Sequence, residues 1–215
     1  MCFSEEMSYF NFIILILSSY YYINKPRLAS ALFFLGIKDL IQGMSYTNIR
    51  NNKETRALTA LSWIHICFQP FFVNLGMSYF DINNKIWKPL LLICLIYGFY
   101  YITKLNEFDI QNDERCNNGT DFCSKTSSYI GKYHLGYKFN LDKNYTELYI
   151  LIMFLPALFT KARYIDIGWI IFYLIFEVLF NNIGMGERAA IYCFSSILYA
   201  LPISIFSKQI LKLIN

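Results

Sequence analysis

Long apolar runs recur along this chain, most close to the roughly 20 residues a helix needs to cross the hydrocarbon core of a bilayer. They occupy residues 7–23, 28–49, 57–79, 89–103, 164–183 and 189–206, with a shorter apolar core at 148–159 that spans only if residues 145–161 join it. So many such runs in 215 residues, of which 56% are hydrophobic and 16% charged, override the one or two soluble domains that length alone would suggest. A soluble domain carries about a quarter charged residues. The expected fold class is therefore all-α: a polytopic transmembrane bundle of about seven helices, with residues 1–215 as one membrane domain.

One segment breaks the pattern. Residues 104–146 are polar and hold Cys116, Cys123 and two glycosylation-type sequons, at Asn118 and Asn144. Within it, residues 133–142 alternate: Tyr133, Leu135, Tyr137, Phe139 and Leu141 are apolar, and the residues between them are polar or glycine. Period two is the mark of a half-buried strand, although no partner strand is evident. An extended interfacial loop fits the same pattern.

Charge sets the expected orientation. With the N-terminus outside, the inner side receives Lys25, Arg27, Lys85, Lys88, Lys161, Arg163, Lys208 and Lys212, against Arg50, Lys53, Arg56 and Arg188 in the outer short loops. The excess of inner basic residues favours N-out, C-in. That orientation also puts the sequons and the cysteine pair outside, where glycans and a Cys116–Cys123 disulfide form. Glu5 and Glu6 precede the first run in place of the basic start of a cleaved signal peptide, so this helix is expected to remain.

Several chemistries are disfavoured. A net charge of +4 with no basic block argues against nucleic acid. The six cysteines include no CxxC. There are two histidines, one of them, His134, in the outer loop, which is poor material for a multi-histidine zinc site. No GxSxG surrounds a serine, and no internal repeat suggests an inverted-repeat transporter. No metal or cofactor is expected.

The polar residues inside the apolar runs are the candidate site. The third run carries His65, Gln69, Pro70 and Asn74; His65 and Gln69 share a helix face at i, i+4, with Asn74 roughly opposite. The second carries Asp39, Gln42 and Tyr46 at i, i+3, i+7, and the sixth carries Glu177 and Asn181 at i, i+4. Asp39, His65 and Glu177 could converge as a proton relay, general-base site or metal site, and a hydrogen-bonded network that joins helices explains the same residues. His65 is expected to face inward and bond to Gln42, Asp39 or Glu177, since an unpaired imidazole N–H in lipid is costly. Pro70, Pro156 and Pro202 each deprive the carbonyl four residues earlier of its helical donor, those of Ile66, Ile152 and Leu198.

Asp39-Leu-Ile-Gln42 together with His65-Ile-Cys-Phe-Gln-Pro-Phe-Phe-Val-Asn74 resembles an uncharacterised family of multi-helix membrane proteins known mainly from giant viruses, with Asp39 where that family tends to carry Glu. Cys123-Ser124 and the stretches 131–137 and 153–156 are similar to its later signatures. The resemblance implies a membrane fold and brings no activity with it.

Three function classes follow. The first is a binding or interaction protein, receptor-like, with its polar residues as interhelical glue. The second is a membrane-embedded enzyme acting on a lipid-like substrate with His65 as base. The third is a proton-coupled transporter using Asp39 and Glu177. The first asks least of the residues. The implied partners are the lipid bilayer and a small amphipathic ligand; the sequence fixes no oligomeric state.

Overall fold

A computed structural model of the chain describes residues 4–49, 52–81, 83–103, 127–132, 134–138, 146–161, 163–179, 182 and 205–214. The expected disulfide (Cys116, Cys123), both sequons (Asn118, Asn144), Asn181 and nearly all of the run 189–206 lie outside these residues.

Helix α1 (Glu5–Tyr21) starts at Ser4, whose hydroxyl accepts from the Met7 amide, and Glu5 and Glu6 sit in its positive first turn. Helix α2 (Pro26–Thr47) places Pro26 in its first turn, where a missing N–H costs nothing. Helix α3 (Asn52–Met77) begins five residues before the expected start at residue 57, inside the polar link. Thr55 explains part of the extension: its hydroxyl donates to the Asn48 carbonyl at 2.7 Å, tying the new first turn to the end of α2. Helix α4 (Trp87–Ile102) follows a turn in which the Trp87 indole donates to the Asp81 carbonyl and Asn84 accepts from the Ile86 amide.

The alternating segment is a strand where it is described. Strand β2 (Leu135–Lys138) pairs antiparallel with β1 (Ser127–Ile130), the partner that was not evident in the sequence. Tyr129 faces Gly136 across the hairpin, and a Cβ there would lie 2.3 Å from the tyrosine ring. A larger residue there would have to displace the end of the Tyr129 side chain. Helix α5 (Thr146–Leu158) has 13 residues and ends before Lys161, short of a full span. Helix α6 (Arg163–Leu179) follows, and the basic tail is itself a helix, α7 (Ser207–Ile214).

Helix α3 is the hub. It packs against α2, α4, α5 and β1, while α1 lies along α2 and α6 against α5. Small residues bring the backbones close. A Cβ on Gly98 would sit 2.9 Å from the Cys67 carbonyl oxygen, and one on Gly76 would sit 2.9 Å from Ala31. Aromatic side chains fill the α3–α4–α5 seam: Trp63 stacks on Tyr101, and Tyr97 on Tyr101.

Polarity runs from the inside out. On α1 the buried residues are Ser8, Asn11 and Leu15, whereas Met7, Phe10, Ile13 and Leu17 are exposed. On α4 and α6, Leu92, Ile93, Ile96, Phe99, Ile171, Leu174, Ile175 and Val178 also point outward. Among the described residues two helices, Pro26–Thr47 and Glu54–Met77, are long and apolar enough to cross a membrane, and Trp87–Ile102 is a shorter apolar helix.

Candidate functional site

Among the described residues, polar side chains gather in three places around α3. The first lies between α3 and α2. The His65 Nε2–H donates to the Phe34 carbonyl at 2.7 Å, and the ring stacks on Phe34 at 3.8 Å, which stacks in turn on Phe72 at 4.0 Å. His65 is buried, and its described partner is a backbone carbonyl of α2 in place of Asp39, Gln42 or Glu177. The stack accounts for this, because it holds the imidazole beside Phe34 and brings Nε2 to that residue's own carbonyl. A carbonyl can only accept, so Nε2 carries the hydrogen and Nδ1 the lone pair. Among the described residues, Nδ1 of His65 and Oδ1 of Asp39 have no partner.

Asp39 and Gln42 are buried on α2, Ser62 on α3 and Asn11 on α1. Tyr9 lies beside Gly43 and Leu15 beside Gly36, so antiparallel α1 carries Asn11 at the height of Asp39 and Gln42. These groups form a polar centre shared by α1, α2 and α3. Glu177 belongs to α6, and its side chain lies outside the described ones.

The second place is the α3–α5 seam. The Asn74 side-chain amide donates to the carbonyls of Pro70 at 2.8 Å, Ile152 at 3.2 Å and Met153 at 3.3 Å, sharing its two hydrogens among them. Tyr149 donates its hydroxyl to Oε1 of Gln69 at 2.8 Å. Residues four apart on a helix are offset by about 40°. That offset is enough for Gln69 to reach α5 while His65 reaches α2. Asn74 points away from α2, as its spacing from His65 implied.

The third place is the hairpin, which seats on the α2–α3 end through side chains that the sequence reading did not combine. The Leu135 amide donates to the Tyr46 hydroxyl at 2.8 Å, and that hydroxyl bonds Nδ1 of His134. Lys38 donates to the Tyr137 hydroxyl at 3.2 Å and stands 4.3 Å from the centre of its ring, a cation–π contact. Thr59 and Ser128 share a hydrogen bond at 2.6 Å. Leu135 and Tyr137 pack on Tyr46 and Ile49. Burial pushes the His134 pKa down to about 3, with a smaller push from the Lys38 charge. The Tyr46 hydroxyl and Nδ1 of the neutral ring share one hydrogen. The clue in the sequence was the alternation around His134, which put that histidine and Tyr137 on a strand but did not name its seat.

Among the described residues no three His, Cys, Asp or Glu side chains gather to hold a metal ion. Chemically, the three places join helix to helix and hairpin to helix. A family model matches residues 9–213, from α1 into α7. The chain belongs to DUF5765, a family of unknown function. No curated protein and no solved structure matches it. The DUF5765 match takes in all three polar places, so they belong to the family domain.

Proposed function

We propose that this DUF5765 chain is a multi-pass integral membrane protein, N-out and C-in, that acts by binding or interaction, receptor-like, with its buried polar residues holding the helices in place. The observation that carries the membrane part is the inverted polarity of α1: Ser8 and Asn11 face the bundle while Phe10, Ile13 and Leu17 face outward. A helix in water does the reverse, and contiguous exposed apolar surface of this extent marks contact with a partner or a membrane. In lipid, polar side chains turn to the bundle interior. The sequence resemblance to a virus-borne membrane family points the same way. The interaction reading is supported by how the polar groups are used: His65, Gln69 and Asn74 each bond across to another helix.

Alkaline carbonate extraction of the expressed chain tests the membrane reading; release into the supernatant would end it. Glycosylation of Asn118 or Asn144, with a C-terminal tag protected in sealed vesicles until the cytosolic face is opened, tests the orientation.

Asp39 Oδ1 and His65 Nδ1, which have no partner among the described residues, favour a second reading, in which the polar centre works on a proton. A proton-coupled carrier would lose pH-dependent uptake on Asp39→Asn. An enzyme acting on a lipid-like substrate, with His65 as base, would lose activity but remain folded on His65→Ala.

A further inference from the structure

The tertiary structure brings scattered basic residues to one end of the bundle. Lys25 lies in the α1–α2 turn, Lys85 and Lys88 in and after the α3–α4 turn, Lys161 and Arg163 at the α5–α6 turn, and Lys208 and Lys212 on α7. All seven are exposed. Asp81, the acid among the described side chains here, accepts from Asn84 and from the Lys161 amide, so its carboxylate is turned to the turns themselves.

Helix α7 draws these turns together. Ile210 and Leu211 pack on the cluster of Met77, Phe80, Trp87 and Ile165, and Ser207 donates to the Tyr22 hydroxyl at 3.4 Å. It therefore touches the ends of α1 and α3 and the starts of α4 and α6. Its inward residues, Ser207, Ile210 and Leu211, follow helical spacing, while Lys208, Gln209 and Lys212 face out. Tyr20, Tyr21, Phe159 and Phe206 are exposed at the same end. Exposed aromatic rings next to basic residues are the pattern of a membrane–water boundary. The opposite end is mixed: there Glu6 and Glu54 are exposed along with Lys132 of the hairpin, and Glu5 accepts from Thr47.

We propose that the basic end framed by α7 is a docking surface for anionic phospholipid headgroups. The inference rests on the membrane reading above and goes beyond it by naming the lipid class and the residues. Helix α7 packs its apolar face on the bundle and leaves Lys208 and Lys212 exposed beside the other cations of this end. Each basic residue close to an anionic surface strengthens attraction about fivefold, and the effect fades within a Debye length of roughly 8 Å at physiological salt. A phosphate or carboxylate on a headgroup is the complement of seven exposed cations gathered on one face.

The test uses the full chain in nanodiscs of mixed phosphatidylcholine and phosphatidylserine, with the lipids that stay bound after mild detergent extraction counted by native mass spectrometry. Phosphatidylserine is expected to be enriched several-fold over its share of the mixture, and the enrichment to weaken as salt rises. The combined variant Lys85→Gln, Lys88→Gln, Lys208→Gln and Lys212→Gln should bring the ratio back to that of the mixture, and Lys132→Gln on the hairpin should leave it enriched. No enrichment in the wild type, or equal enrichment in the fourfold variant, overturns the proposal. So does equally tight binding of soluble glycerophosphoserine, which would make the ligand a free phosphate ester. A chain that never enters the nanodisc overturns the membrane reading instead. Should the fourfold variant not fold, the wild-type enrichment and its salt dependence decide.

Discussion

Asn74 on α3 donates its side-chain amide to the carbonyl of Ile152 on α5, 3.2 Å away. Ile152 is four residues before Pro156, and α5 runs through both. Proline has no N–H, so the Ile152 carbonyl lacks its helical donor. Asn74 supplies the missing donor from the neighbouring helix. An apparent defect in one helix and a polar residue in another are two halves of one contact.

This pairing predicts a specific non-additivity. Asn74→Ala should destabilise the protein by about 0.5–2 kcal/mol, the range of interhelical hydrogen bonds and buried unpaired carbonyls. In a Pro156→Ala background, residue 156 provides its own N–H to Ile152, and the cost of Asn74→Ala should shrink. Thermal unfolding of the four proteins in detergent measures the coupling. An equal cost in both backgrounds would show that Asn74 acts through something else.

Hairpin docking should depend on pH. The His134 pKa is about 3 in the folded chain against an ordinary 6.5. A depressed histidine pKa means that the folded state resists protonation. The stability from seating the neutral ring is therefore complete above pH 6.5 and drains away as pH falls from 6.5 toward 3. At pH 4 the loss has an upper bound of about 3 kcal/mol. The melting midpoint should drop between pH 7 and pH 4 by more in the wild type than in His134→Gln. Matching drops would remove His134 from the account.

Gly98→Ala should be costly for its size. The added methyl would meet the Cys67 carbonyl oxygen at 2.9 Å and the Phe68 ring at 2.8 Å. A backbone carbonyl inside a helix cannot swing away, so α4 must move off α3, at about 1–3 kcal/mol. A melting curve unchanged by this substitution would contradict the close approach.

His65 should separate stacking from hydrogen bonding. His65→Phe keeps a ring against Phe34 and loses the bond to its carbonyl, a cost of about 1 kcal/mol. His65→Ala loses the stack as well and should melt lower still. Equal midpoints for the two variants would mean that the stack contributes nothing.

Much of this protein was legible in the sequence because helix-forming apolar runs are local. The apolar runs that became α1 to α6 follow from run length, while α1 and α2 each start two residues before their runs, behind the Ser4 cap and at Pro26. The strand at Leu135–Lys138 follows from period two. Other features were not legible, because they depend on which faces meet. Lys38 lies within the apolar run 28–49, and folding seats it over Tyr137. His134 read as a polar residue of the alternating stretch, and the hairpin buries it against Tyr46. The expected partner of His65 was a side chain, yet stacking on Phe34 delivered a backbone carbonyl.

The sequence by itself determined the helical class and the positions of the polar residues along each helix, since these depend only on the order of residues and the pitch of a helix. The tertiary structure decided which polar groups are joined: Asn74 to the Ile152 carbonyl, His65 to Phe34, Tyr46 to His134. The physical reason is that a buried donor must be matched by whatever acceptor the packing brings within about 3 Å, and that acceptor is often a backbone atom that the residue alphabet does not record.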